Sequence, residues 1–489
     1  MSYRCLADFL EELGHAGELV RVEAPVDASL EVAEIAARLF AAEGPAVLFG
    51  AVRGSRAPLL VNLFGDDGRV CRALGVSSVD VVAQRIAQLA QPTEAEGWFE
   101  RLKTAPHQSV LSNLPPRRIK SGVSQQVVRL GSDIDLGELP LVQGAADEAA
   151  PSITAAIVVT ADPDSHEPVF GHWDLQRLGP DRLAVGWAAH DEPARLLAEY
   201  GRRGEKMPLV VVLGGDPALL LAAMSPVPPG TDIYALAGLL REKPIDVIAC
   251  RSVDLHVPAD AEIILEGYVD PTQPPAEAGP WSTPTGNYGP RRAVPVMQLT
   301  AATHRANPIF PAIVYGRPPH EETIIRRTMQ RVFLPLVKMA IPELVDYDLP
   351  AFASARHWAV LAIRKTHAGQ ARHVANAAWA MRQLMFAKVL TIVDEGVDIH
   401  DQHQVLAAIA TNMNAGRDVF FQQGPPDPLD VAAEPNTLGQ KMAIDATAKL
   451  PGEHTGTWPE PTIMSEEIRN PVTERWEEYG LGPRAESES

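Results

Sequence analysis

Cysteine is scarce: Cys5, Cys71 and Cys250 are the only three in 489 residues, and no two stand at CxxC spacing. That argues against a disulfide framework or a cysteine-held zinc cluster and fits a reducing cytoplasm. Long apolar runs are lacking too. The best stretch, PLVVVLGGDPALLLAAM, is cut by Asp216 and Pro217, short of the ~20 apolar residues that cross a bilayer. The opening MSYRCLADFLEEL is acidic and amphipathic, without the basic-then-apolar layout of a secretory leader. Positive charge is in deficit: 43 Lys and Arg face 62 Asp and Glu, a formal net charge of −19. Such a surface repels nucleic acid and anionic membranes, although a local basic pocket for a small anion is allowed. The sequence holds no GxGxxG, GxxxxGK[ST] or GxSxG. His320-Glu321-Glu322 begins like HExxH, but Ile324 stands where the second histidine is needed.

What is present reads as a soluble globular protein. Apolar residues make up 46 % and charged residues 21 %, enough to build a sizeable core, and the length suggests two to four domains of ~150 residues. Over residues 1–115, helix and strand alternate. Leu6, Phe9, Leu10 and Leu13 recur at helical spacing with Gly14 as a stop, and SLEVAEIAARLFAAEG reads as a helix capped by Ser29. NLPPRRIKSG at 113–122 is a linker candidate. Residues 123–317 read as short strands, from SITAAIVVTADPDS and EPVFGHWDLQRL to VMQLTAATH and AIVYG, with PARLLAEYGRRG as an inserted helix. From 320 to 482 the βαβ texture returns, opening on the helix ETIIRRTMQRVFLPLVKMA, and 483–489 reads as a frayed tail. His400 and His403 read as a solvated helix start. Gly214-Gly215-Asp216 is either a turn with an Asp cap or a phosphate site at a helix N-terminus.

Three segments concentrate chemistry-bearing residues: GHWDLQRL with His172 and Arg177 on an expected strand, VGWAAHDE with His190, and EIILEGYVDPTQPPAEAGPWSTPTGNY with Glu266 and Glu277. Together with AMSPVPPGTDIYALAGLLREKPIDVIAC, YGRPPHEETII, TIVDEGVDIHD and KMAIDATAKLPGE they lie in an order and spacing that resembles the UbiD family of prenylated-FMN-dependent (de)carboxylases. The resemblance implies an α+β fold: a central split β-barrel of the flavin-reductase kind, flanked by N-terminal and C-terminal α/β domains, the last used in forming a homodimer or homohexamer. It implies prenylated FMN as cofactor, supplied by a partner flavin prenyltransferase. It further implies reversible, non-oxidative decarboxylation of an aromatic or α,β-unsaturated acid, here leaning towards specialised metabolism. Loss of CO₂ from an sp² carbon leaves a carbanion that no side chain can stabilise, so a cofactor must take the electrons.

Carried over by resemblance, Arg177 orients the carboxylate and Glu277 pairs with it. The cofactor meets His172, Leu175, Gln176, Arg177, Gly186, Trp187, Ala188, His190, Asp191, Met224, Ser225 and Lys388. Two departures follow. The family's divalent Mn or Mg, which accompanies the phosphate, has Asn, His and Glu ligands; here those positions are His172, His190 and Ile233, beside Asp232. Whether such a metal, or K, is retained stays open. One alternative is a protonated imidazole at His172 or His190 that replaces the metal's charge; the other is a two-histidine site for a softer metal. The family's second acid falls on Thr283. A hydroxyl is a far weaker acid than a carboxyl, so Glu277 does both jobs, Thr283 holds a water that delivers the proton, or catalysis is impaired. The alternative function is a degenerate member that binds flavin or a partner without turnover.

Overall fold

The computed structural model describes residues 3–90, 115–188, 190–434, 438–459, 462 and 464–480. The expected tail at 483–489 and the first two residues of the linker candidate lie outside them.

The first helix, Leu6–His15, buries Leu6, Phe9, Leu10 and Leu13, as their spacing requires, and runs one residue past Gly14. The next, Glu31–Ala41, is not capped by Ser29. Leu30 holds the N-cap position with φ +68°, and the Ser29 hydroxyl donates to Gln143 Oε1 at 2.7 Å instead. A long-range partner has displaced a local one. Strands Leu19–Val22, Ala46–Phe49 and Leu59–Val61 form a sheet completed by Phe310–Pro311, which pairs in parallel with Leu59 and Leu60. The core is shared in the same way: Phe9 and Phe64 pack in one cluster with Val212, Ile264 and Ile325. The N-terminal segment therefore closes only with chain from the middle of the sequence.

The central region is one open nine-stranded antiparallel sheet. Its order is Ser152–Ile153, Leu175–Arg177, Arg182–Val185, Val296–His304, Ile263–Val269, Met207–Leu213, Ala156–Ala161 and Pro168–Gly171; Val127–Leu130 also pairs with Val296–His304. Ala156–Ala161 and Met207–Leu213 are buried almost throughout. Strands covered on both faces read as continuous apolar runs, and these do. A register shift between Glu266 and Gly267 marks a bulge that bends the sheet. AIVYG does not continue it. After Pro311 the chain is irregular, because the Ile313 amide donates to the Thr154 hydroxyl (3.1 Å) rather than to a ladder carbonyl.

The expected helix after residue 320 is two helices, Glu321–Val332 and Leu334–Ala340, with Pro335 in the first turn of the second. Ile325, Met329 and Val332 of the first belong to the core shared by the N-terminal and central regions. A five-stranded sheet follows in the order Leu344–Asp348, Trp358–Ile363, Val389–Asp394, Gly439–Asp445 and Val419–Gly424. Its three inner strands are parallel and its outer pairs antiparallel. Helix Glu321–Val332 thus bridges the two halves, and the site lies beside it.

Candidate active site

A cleft of about 450 Å³ opens between the central sheet and the C-terminal region. Its first wall exists because the strand expected over GHWDLQRL is interrupted. Pro168–Gly171 ends, residues 172–174 leave the sheet, and pairing resumes at Leu175. His172, Trp173 and Asp174 therefore line the cleft, with Gly186, Ala188, His190 and Asp191 from the segment after Arg182–Val185. Met224 and Ser225 join them from the end of helix Pro217–Ala223, whose cap is Asp216, accepting from the Ala218 amide at 2.8 Å.

His172 Nδ1 lies 2.9 Å from the Ala156 carbonyl, which can only accept, so the ring proton sits on Nδ1. Nε2 is buried without a hydrogen-bond partner among the described residues. Burial pushes the imidazole pKa down, so these surroundings favour neutral His172 rather than the protonated ring of the charge-count alternative. His190 is exposed, its Nε2 4.0 Å from Asp191 Oδ1 and its ring 5.8 Å from that of Phe386. Asp191 accepts from the Ala188 amide (2.7 Å) and from Trp173 Nε1 (3.0 Å), which fixes that indole. Ile233 lines the cleft, whereas Asp232 is committed to capping its helix through the Tyr234 and Ala235 amides. Among the described residues, no group of three or more His, Cys, Asp or Glu side chains has a metal-binding arrangement.

The other wall is charged. Glu322 is buried between Arg326, its ion-pair partner one helical turn on, and Arg356 at 3.6 Å. Burial alone would raise this carboxyl, but the two guanidinium groups outweigh it and hold the pKa at about 2. Asp427 is governed likewise: burial opposes ionisation, while Arg356 (3.2 Å) and His357 keep it below the ordinary range. Arg292 donates to the Gly186 carbonyl and lies over the Trp281 ring at 5.4 Å. Arg382 is exposed on the cleft and has no ion-pair partner among the described residues.

The structure does not bring every expected residue here. Leu175 and Trp187 are in the core. Gln176 is buried, donating to the Ala150 carbonyl and accepting from the Gly279 amide. Strand alternation then sends Arg177 to the face opposite Gln176, with its guanidinium beside Gly137. Glu277 is exposed on the hairpin strand Ala276–Ala278, and no ion pair joins it to Arg177. Lys388 is tied to Asp430 at 2.7 Å and does not line the cleft. Thr283 does line it, 7 % exposed, donating to the Asn287 carbonyl at 2.8 Å. Asp174, Tyr315, Glu322, Arg326, Arg356 and Arg382 were not anticipated. Of these, the Glu322–Arg326 pair had a readable signal in its i, i+4 spacing.

A mixed α and β protein with a large cleft of mixed polarity at the meeting of two sheets has the anatomy of an enzyme. Family models described as the N-terminal, Rift-related and C-terminal domains of 3-octaprenyl-4-hydroxybenzoate carboxy-lyase match residues 10–89, 117–318 and 323–446. The chain belongs to the UbiD family of carboxy-lyases. It is similar to the UbiD-class enzyme HmfF from Pelotomaculum thermopropionicum, solved in complex with FMN, at 30 % identity over 94 % of this chain and 97 % of that one, TM-score 0.76. An evolved dimeric form of HmfF, solved with prFMN, gives 28 % identity over 93 % and 97 %, TM-score 0.76. The vanillic acid decarboxylase of Sedimentibacter hydroxybenzoicus in closed form gives 26 % identity over 98 % of each chain, TM-score 0.85.

Proposed function

We propose that the cleft binds prenylated FMN and that the protein removes CO₂, reversibly and without net oxidation, from an aromatic or α,β-unsaturated carboxylic acid. The observation that carries this reading is the cleft itself. Its ~450 Å³ falls in the range of small-molecule sites. Its lining residues include His172, Trp281 and Arg356, each with a buried polar nitrogen that has no hydrogen-bond partner among the described residues. Buried polar groups of this kind are normally partnered. Likeness to an FMN-bound enzyme over 94 % of the chain supports the same reading.

When bound, the modified flavin supplies the electron sink for the pair left on carbon as CO₂ departs. The chain's own groups position and neutralise. Arg382, a cation with no ion-pair partner among the described residues, suits the cofactor phosphate better than Lys388, which Asp430 already holds. Arg326, whose side chain stays 28 % exposed beside Glu322, suits the substrate carboxylate. Arg177 and Glu277 would take up the roles the resemblance implies only if their strand and hairpin shifted towards the cleft. A divalent metal or K would have to find ligands beyond His172 and His190. A flavin prenyltransferase supplies the cofactor in this reading, and the expected assembly is a homodimer or homohexamer.

The lack of an Arg177–Glu277 ion pair among the described residues, with a hydroxyl at Thr283, favours a second reading: a family member that binds flavin without turnover. Co-expression with a flavin prenyltransferase, followed by a screen of aromatic and unsaturated acids for CO₂ release and C–H deuterium exchange, separates the two. Release from at least one acid is expected. Flavin retained with no release from any acid leaves only the second reading, and no retained flavin contradicts both.

A further inference from the structure

Two tryptophans line the cleft, Trp173 and Trp281. An indole nitrogen only donates, and when buried it normally finds an acceptor. Trp173 obeys that rule, its Nε1 spent on Asp191 at 3.0 Å. Trp281 does not. It is 7 % exposed, yet its Nε1 is buried and has no hydrogen-bond partner among the described residues.

The chain nevertheless commits several groups to holding this ring. Gln176 and Glu148, both buried, accept the backbone amides that flank it: Gly279 N–H at 2.8 Å and Ser282 N–H at 2.7 Å. The other Glu148 oxygen accepts the Gly144 amide at 2.7 Å, so the carboxylate is fixed at both ends. The Trp281 carbonyl accepts from the Gly289 amide at 2.8 Å. Gly279 has φ +88°, and a Cβ there would lie 2.9 Å from Trp281 Cε3 and 3.0 Å from Cζ3. Those two carbons form the edge of an indole opposite Nε1. The hydrocarbon edge is therefore turned to Gly279 and the N–H edge away from it. Arg292 lies over the ring at 5.4 Å while donating to the Gly186 carbonyl, which fixes the plane.

Resting on the decarboxylase reading above, we propose that Trp281 is a specificity-determining residue whose N–H donates to an uncharged acceptor on the bound ligand, a ring nitrogen or a carbonyl or ether oxygen, and that Glu148 and Gln176 are the positioning residues that hold it there. The substrate carboxylate is left to Arg326. The acceptor belongs either to the isoalloxazine ring of the flavin or to the acid. A buried donor discriminates because a ligand without the acceptor leaves it unpaired. If the acceptor is on the acid, the site prefers a heteroaromatic or alkoxy-substituted acid to its hydrocarbon analogue.

The test uses the full chain with isotope-labelled indole nitrogens, read by nuclear magnetic resonance; Trp281→Phe identifies the Trp281 signal by its loss. FMN is titrated first, then para-methoxybenzoate or para-methylbenzoate is added to the FMN complex. A downfield shift of the Trp281 N–H signal with FMN alone puts the acceptor on the flavin. A shift that waits for para-methoxybenzoate and is not given by para-methylbenzoate puts it on the acid. Trp281→Phe should bind whichever ligand moves the signal ~2- to 10-fold more weakly, the worth of one neutral hydrogen bond. Glu148→Ala should lose the same factor, and Glu148→Gln, which keeps an oxygen for the Ser282 amide, should recover it. The double variant Trp281→Phe/Glu148→Ala should lose no more than either single one; losses that multiply overturn the positioning role of Glu148. A shift given only by the two acids, and equally by both, assigns the carboxylate and overturns the inference. So does Trp281→Phe binding as tightly as wild type. A wild-type chain that binds no FMN removes the function reading and this inference together. FMN bound with the Trp281 signal unmoved by it and by both acids removes this inference alone, and leaves the N–H to water in the chamber of about 10 Å³ that Trp281 lines with Ser152.

Discussion

At the scale of single residues, the cleft is governed by how burial and charge are matched. Glu322 is 1 % exposed and compensates two guanidinium groups at once. Replacing it with Gln should leave buried positive charge unpaired and cost about 3–5 kcal/mol, read as a lower urea midpoint. Because its folded pKa is depressed to about 2, its contribution is fully present above the ordinary carboxylate range and disappears as pH falls through that range towards 2. The acid limb of the wild-type stability profile should therefore flatten in Glu322→Gln; an unchanged limb would contradict this account of the wall. Where partners are distant in sequence, composition gave no signal of such matching. His400, expected to be a solvated helix start, lies 3.3 Å from Asp346 Oδ2 and 3.5 Å from Asp348 Oδ1. The hydrogen bonds its ring donates to the Asp346 and Asp348 carboxylates raise its pKa to about 9. Nothing in DIHDQHQ announces those aspartates, which come from a strand some fifty residues earlier.

At the scale of elements, what could be read depended on whether parity mattered. Buried runs such as Met207–Leu213 and Val389–Asp394 stand out by apolarity alone, and both are strands. Residues between elements are free of that parity, and Gly186, Ala188, Asp191, Met224 and Ser225 all line the cleft. Arg177 and Glu277 sit on strands, where a shift of one residue reverses the face a side chain occupies. No motif fixes that register to one residue. The bulge at Glu266/Gly267 makes the same point in the backbone. A Cβ on Gly267 would lie 2.1 Å from the Gln298 carbonyl oxygen and 3.0 Å from Leu299 Cα, both backbone atoms of the neighbouring strand. Gly267→Ala should destabilise the protein by at least ~1–3 kcal/mol, the usual cost of overpacking, measured by thermal or urea unfolding. A variant as stable as wild type would show that the bulge is not needed for close strand approach.

At the scale of the whole molecule, the three sequence regions do not behave as beads on a string. Phe310–Pro311 closes the N-terminal sheet, one core cluster runs from Tyr3 to Phe333, and helix Glu321–Val332 joins that core to the charged wall. Periodicity cannot reveal such sharing, because it reports which face of an element is buried and not against what. The net charge of −19 is likewise a property of the whole chain, whereas the cleft gathers Arg292, Arg326, Arg356 and Arg382. Carboxylates of the same cleft offset Arg326 and Arg356, which leaves Arg382, without an ion-pair partner among the described residues, as the local place for an anionic ligand. That this cleft is a flavin site is tested most directly by titrating the full chain with FMN and following flavin fluorescence, for wild type and Arg382→Gln. One FMN per wild-type chain is expected, with ~10- to 100-fold weaker binding in the variant, the loss of one charge-assisted contact of about 1.5–3 kcal/mol. A wild-type chain that binds no FMN would contradict it.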